Sequence, residues 1–147
     1  MIGILVVTHG QLARELVTAA EMIVGEIPNV TPVSIGWHDD PDDAQNDIRE
    51  GIERVETGDG TVVLTDMFGG TPSNLSLAFL EKDRVEVVTG VNLPMLIKLV
   101  SLRGAEGVDL EKAARQISTQ GKESICLASD LLAAKADRKE ENSGGRT

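Results

Sequence analysis

Along the chain, unbroken apolar runs alternate with segments in which apolar residues recur every three or four positions. Residues 2–7 form a continuous run rich in β-branched side chains, the pattern of a strand buried on both faces of a parallel sheet. After Thr8-His9-Gly10 the spacing becomes helical, with Leu12, Leu16, Ala19/Ala20 and Ile23 on one face and Gly25 as a stop. A second strand is expected at about 31–35, followed by Trp37-His38-Asp39-Asp40 and then Pro41, with acids clustered where a helix start favours them. Ala44, Ile48, Ile52 and Val55 stripe that second helix. Gly58-Asp59-Gly60 reads as a turn, residues 61–65 as a third buried strand, and Asp66 closes it.

Met67-Phe68-Gly69-Gly70 is a tight loop, and Thr71-Pro72 reads as an N-cap with proline at the first helical position. That helix is expected to run through Leu75 and Leu77 to about Leu80. A fourth strand at 85–88 leads through Gly90-Val91-Asn92-Leu93-Pro94 into a helix to about Leu102. Asp109 caps a further helix through Ile117, and 124–127 reads as a weak fifth strand. With no apolar residue after Ala136, residues 135–147 are expected to be a disordered polar tail, leaving 1–134 as one domain. Alternating strand and helix predict an α/β fold, an open sandwich with right-handed crossovers, and the strand order taken for it is the flavodoxin-like 2-1-3-4 of a parallel sheet.

Composition changes this picture in three ways. Only 2% of residues are aromatic, so the core must be aliphatic. A net charge of −10 argues against general binding to nucleic acid or an anionic membrane, although backbone N–H groups still allow a local anion site. The single cysteine, Cys126, excludes an internal disulfide framework and fits a reducing compartment. The apolar start lacks a basic leader and reaches Thr8-His9 too soon for a signal peptide or a membrane span, so the chain reads as cytoplasmic with no direct membrane insertion.

In open α/β sheets, ligands bind beyond the carboxyl ends of the strands, where neighbouring connections leave to opposite faces. In the order 2-1-3-4 that point lies between the first and third strands, which brings His9 and Asp66 into one crevice. A carboxylate bonded to one imidazole nitrogen fixes the tautomer and leaves the other nitrogen as a nucleophile. Gly69 and Gly70 permit close backbone approach, and Thr71 opens a helix whose start favours an anion. Thr8, Gly10, Phe68, Gly69, Gly70 and Thr71 are the candidate phosphoryl-binding residues around catalytic His9 and Asp66. Phosphoryl transfer needs little beyond such positioning and charge stabilisation. The Gly-x-x-x-x-Gly-Lys-Ser/Thr nucleotide loop is absent.

Taken singly, each residue has a plainer reading: a hydrogen-bonding histidine, a turn-capping aspartate, a tight connection. His38 with Asp39 and Asp40 is a weak metal signal, because adjacent ligands lack a spaced partner, and no metal or cofactor is expected. Trp37 and His38 leave a strand's carboxyl end and so border the crevice or a partner surface.

Three segments together carry a family resemblance. They are Gly3-Ile4-Leu5-Val6-Val7-Thr8-His9-Gly10, Leu64-Thr65-Asp66-Met67-Phe68-Gly69-Gly70-Thr71-Pro72-Ser73-Asn74, and Thr89-Gly90-Val91-Asn92-Leu93-Pro94-Met95-Leu96. Over residues 1–127 the chain closely resembles the enzyme IIA domain of the mannose-type sugar phosphotransferase system. The resemblance implies a phosphorelay in which an HPr-type phosphocarrier donates to His9, and His9 passes the group to a histidine of a IIB protein. It implies Nε2 of His9 as the acceptor with Nδ1 facing Asp66, and a homodimer that exchanges an antiparallel strand, placed at 124–127. Phe68 stands where relatives often carry Trp, and Thr71 where Ser is common. Competing expectations are a regulatory protein controlled by its phosphorylation state, the phosphocarrier serving dihydroxyacetone kinase, and a non-catalytic binding module.

Overall fold

The apolar run near the start of the chain is buried from Ile2 through Thr8 and becomes β1 (Gly3–His9), an interior strand. The computed structural model describes residues 1–37 and 39–144. From β1 the chain proceeds through α1 (Leu12–Val24), β2 (Val30–Ile35), α2 (Pro41–Val55), β3 (Thr61–Thr65) and α3 (Thr71–Leu77). It continues through β4 (Val85–Thr89), α4 (Leu93–Leu102), α5 (Leu110–Glu123) and α6 (Ala128–Gly144). The four strands form one parallel sheet in the order β2-β1-β3-β4, the flavodoxin-like order expected.

Side-chain alternation along the strands builds two aliphatic layers. Ile4, Val6, Val62 and Leu64 pack with Ala13, Val17 and Ala20 of α1, Leu96 and Leu99 of α4, and Ala113 and Ile117 of α5. Leu5, Val7, Val33, Ile35 and Val63 face the other way, onto Ala44 and Ile48 of α2 and Leu75 near the end of α3. The connection leaving β1 therefore runs on one face and that leaving β3 on the other. Their carboxyl ends, neighbours in the sheet, form the switch point.

Helix starts follow local chemistry. Asp40 accepts from the N–H of Asp42, Asn92 from that of Met95, and Asp109 from that of Lys112, each capping its helix. At α3 the cap is Gly70, with Thr71 and Pro72 inside the first turn, so the expected Thr71 cap is off by one residue. That helix also ends at Leu77 rather than near Leu80.

Two segments depart further from expectation. Residues 124–127 are not a strand in the single chain: Ser124 caps the end of α5, and Ile125 and Leu127 are exposed. A lone short strand has nothing to pair with unless an edge is supplied. Residues 135–144, expected as disordered tail, continue α6. The Ala, Leu, Lys, Arg and Glu residues of α6 are strong helix formers, so local propensity holds a helix although every residue from 125 to 142 is exposed. Residues 145–147 lie outside the described residues.

Candidate functional site

His9 is the last residue of β1, and its Cα is paired in register with Ile35 on β2. The next N–H, that of Gly10, donates to the carbonyl of Ile35 at 2.9 Å, which fixes the chain as it leaves the sheet. Thr8 is fully buried, and its hydroxyl accepts from the N–H of Ala13 at 2.7 Å. Gln11, the residue at the α1 cap position, makes no side-chain cap bond, so Thr8 fills that role from the strand end. The Thr8 hydroxyl and the Gly10 N–H are thus committed within the chain.

From β3, Asp66 meets His9 twice. One carboxylate oxygen, Oδ2, lies 2.7 Å from Nδ1 of the imidazole and accepts the backbone N–H of His9 at 3.0 Å. The other, Oδ1, accepts the N–H of Met67 at 3.1 Å. The Asp66 side chain is only 13% exposed, whereas that of His9 is 51% exposed. Partial burial raises the Asp66 pKa, but the His9 ring and backbone hydrogen bonds and the charge of His9 outweigh it, leaving the carboxyl below its ordinary 3.8. An ionised carboxylate only accepts, so Nδ1 carries the proton and donates, and the lone pair of neutral His9 sits on Nε2.

Gly70 lies against that nitrogen. A Cβ on Gly70 would stand 2.8 Å from Cε1 and 3.3 Å from Nε2 of His9, so this position admits no side chain while the ring stays in place. Gly69 has φ +89°, a conformation an L side chain rarely adopts, and it turns the loop back towards α3. Among the described residues, the N–H groups of Phe68, Gly69 and Thr71 have no backbone acceptor outside the helix ladder. The loop is open to water: Met67, Phe68, Gly69 and Thr71 are all exposed.

The topology thus brings His9, Asp66, Gly70 and the start of α3 together as the sequence predicts. Sequence reasoning missed the capping role of Thr8, because a hydroxyl acting five residues ahead matches no local capping pattern. Trp37 is exposed beyond the end of β2, whereas His38, the weak metal candidate, lies outside the described residues. Among the described residues, no group of three His, Cys, Asp or Glu is placed to hold a metal ion, and no helix is long and apolar enough to cross a membrane.

Residues 3–118 match the family model described as "PTS system fructose IIA component". The mannose-specific EIIAB component of Escherichia coli (strain K12) is 33% identical over 130 residues, covering 84% of this chain. The chain spans only 38% of the length of that relative. The fructose-specific EIIA component of Bacillus subtilis (strain 168) is 28% identical over 133 residues, 90% of each chain. Among solved structures, phosphotransferase system component EIIA from Streptococcus agalactiae superposes with a TM-score of 0.79 at 26% identity, over 88% of this chain and 99% of that one.

Proposed function

The chain belongs to the fructose/mannose-type IIA family of the sugar phosphotransferase system, and from that premise we propose that it is a phosphocarrier acting through His9. The observation that carries this reading is the 2.7 Å contact between Nδ1 of His9 and Asp66, which leaves Nε2 as the free nucleophile in an open crevice.

In the proposed cycle, Nε2 attacks the phosphorus of a phosphohistidine on an HPr-type donor. The donor's P–N bond breaks as the new Nε2–P bond forms, and the donor imidazole leaves with its electron pair. His9 gains positive character as it accepts the group, and the Asp66 carboxylate stabilises it through the Nδ1–H. Transfer onward to a histidine of a IIB protein repeats the exchange with His9 as the leaving group. The N–H groups of Phe68, Gly69 and Thr71 are the proposed partners of the phosphoryl oxygens, and Gly70 leaves room for them beside Nε2. Thr8 and Gly10 act as positioning residues. No metal or cofactor enters the cycle, which belongs in the cytoplasm with its donor.

The same reading includes a homodimer. It is supported by the outer edge of β4, which among the described residues has no strand partner beyond a bridge from Glu81 to Val85 and borders a groove of about 1030 Å³ along α5. It is supported also by exposed Ile125, Leu127, Leu131 and Leu132, apolar side chains suited to cover such an edge from a second copy.

The test is incubation with phosphoenolpyruvate, enzyme I and HPr, with site assignment by mass spectrometry. An acid-labile, alkali-stable phosphate on His9, abolished by His9→Ala, is the expected result. Absence of label with an active HPr would overturn the phosphocarrier reading.

A further inference from the structure

Two of the chain's three aromatic side chains stand almost bare, and both lie at the end of the sheet that carries His9. Trp37 is 96% exposed and Phe68 72% exposed, whereas Phe79 packs against the core. Their placement follows from the strands. Trp37 comes two residues after Ile35, the register partner of His9, and Phe68 two residues after Asp66, which holds the ring. The two aromatics therefore flank the nucleophile, one from β2 and one from β3. Exposed Met67 and Leu12 extend the apolar rim. Large aromatics left in water beside a reactive atom are the usual anchors of a protein interface.

Charge tells what kind of protein fits. Asp39, Asp40, Asp42 and Asp43 follow Trp37 directly and are all exposed. Asp39 accepts from the N–H of Gly36 and Asp40 caps α2, so the acids are held at the crevice end of the sheet rather than on a loose segment. No Lys or Arg occurs from residue 15 to 48 or from 55 to 81, and Arg14, exposed in the first turn of α1, is the cation nearest His9 in the sequence. A phosphoryl group in transfer carries negative charge on its outer oxygens and needs cationic stabilisation. The backbone N–H groups of the loop meet part of that need, and the four exposed carboxylates beside the crevice favour a partner that brings Lys or Arg to it.

The geometry points to Trp37, Phe68 and the acidic start of α2 as the docking surface for the phosphoryl donor, a protein presenting Lys or Arg around an apolar patch, with Trp37 as the anchor. The inference rests on the phosphocarrier reading and adds the residues by which the donor is recognised. Trp37 is a positioning residue: it touches the partner, not the reacting atoms.

The test measures the rate of phosphoryl arrival at His9 against concentration of a phosphorylated HPr-type donor, at low and high salt. The proteins are the full chain, Trp37→Ala, Trp37→Phe and Asp42→Asn/Asp43→Asn. Trp37→Ala is expected to raise KM about tenfold or more while changing kcat little, and Trp37→Phe to restore most of the loss. The double Asn variant is expected to flatten the salt dependence of kcat/KM. Chemical labelling of His9 by phosphoramidate, a small donor that needs no docking, separates a damaged site from a lost interface: the Trp37→Ala defect should be confined to the protein donor. A KM within twofold of the parent for Trp37→Ala, or an equal loss with phosphoramidate, overturns the inference while leaving the carrier role standing. If the parent chain takes no phosphate from the donor, the phosphocarrier reading itself fails and this one falls with it.

Discussion

The two ends of the sheet each hold a partly or fully buried charged group at a strand terminus, and they use it in opposite ways. At the carboxyl end, Asp66 grips one side of His9 and leaves the other side in water. At the amino end, Arg103 is 7% exposed, and its guanidinium donates to the carbonyls of Ile2, Asn29 and Pro28. These donors are spent on the backbone, which ties α4 to the starts of β1 and β2. A cavity of about 550 Å³ lies beside Arg103, lined also by Asp59, Asp83 and Asp109, yet the guanidinium is turned to structural work. The His9 end leaves one ring nitrogen without a partner in the chain. A polar group marks a reactive site when its partners satisfy one face and leave the other free.

The contrast breaks most sharply at Arg103. Arg103→Met keeps much of the volume but leaves the carbonyls of Ile2 and Pro28 without a charged donor. The expected cost is about 3 kcal/mol. For a chain of this length that corresponds to a fall of about 9 °C in Tm. Phosphorylation of His9 should be unchanged at temperatures where the variant is folded. Calorimetry and the labelling assay together decide: retained stability would show that Arg103 is no staple, and slowed labelling would couple the two ends.

Asp66→Asn should do the reverse. The amide still reaches Nδ1 but loses the charge that fixes the tautomer and supports the phosphorylated ring. Transfer from the protein donor should slow about 100-fold. Stability at neutral pH should change less than in the Arg103 variant, because the Asp66 pair is partly exposed. The pH dependence has a definite sign. The folded-state pKa of Asp66 is lowered, so its stabilisation is present above the unfolded value of about 3.8 and is lost as pH falls through the folded value. The Asn variant should therefore lose less stability than the parent between pH 5 and the acid limit in urea melts. Parallel acid curves would remove Asp66 from the linkage.

The carboxyl end was far more legible in the sequence than the amino end, for a physical reason. Strand runs at 2–7, 61–65 and 85–88 and the helical stripes between them imply the alternating α/β class, and taking the flavodoxin-like order 2-1-3-4 for it places His9 beside Asp66. Arg103 reaches carbonyls 101, 74 and 75 residues away, and a backbone carbonyl has no identity in the sequence by which it could be anticipated. The region from 124 onward is hard to read for another reason. The 124–127 reading depends on an edge outside the single chain, and α6 is held by local propensity, which a search for buried stripes overlooks.

The smallest and most local test lies at Gly70. Its backbone, φ −85° and ψ 168°, is open to any residue, so Gly70→Ala meets no conformational objection, and only contact with the ring opposes it. The new methyl would sit 2.8 Å from Cε1 of His9, closer than carbon atoms approach without something shifting. If the ring yields, the Nδ1–Asp66 bond lengthens and the tautomer loosens. If the loop yields, the Phe68–Thr71 N–H groups turn away from the incoming oxygens. Either response should slow transfer about tenfold, or roughly 1.4 kcal/mol. The loss of a good cap residue should cost stability about 1 kcal/mol or less. Imidazole nitrogen NMR separates the two responses, since only the first changes the proton shared by Nδ1 and Asp66. Full activity in Gly70→Ala would mean that Nε2 is approached from a side this loop does not guard, and the phosphoryl-binding role would have to move off residues 68–71.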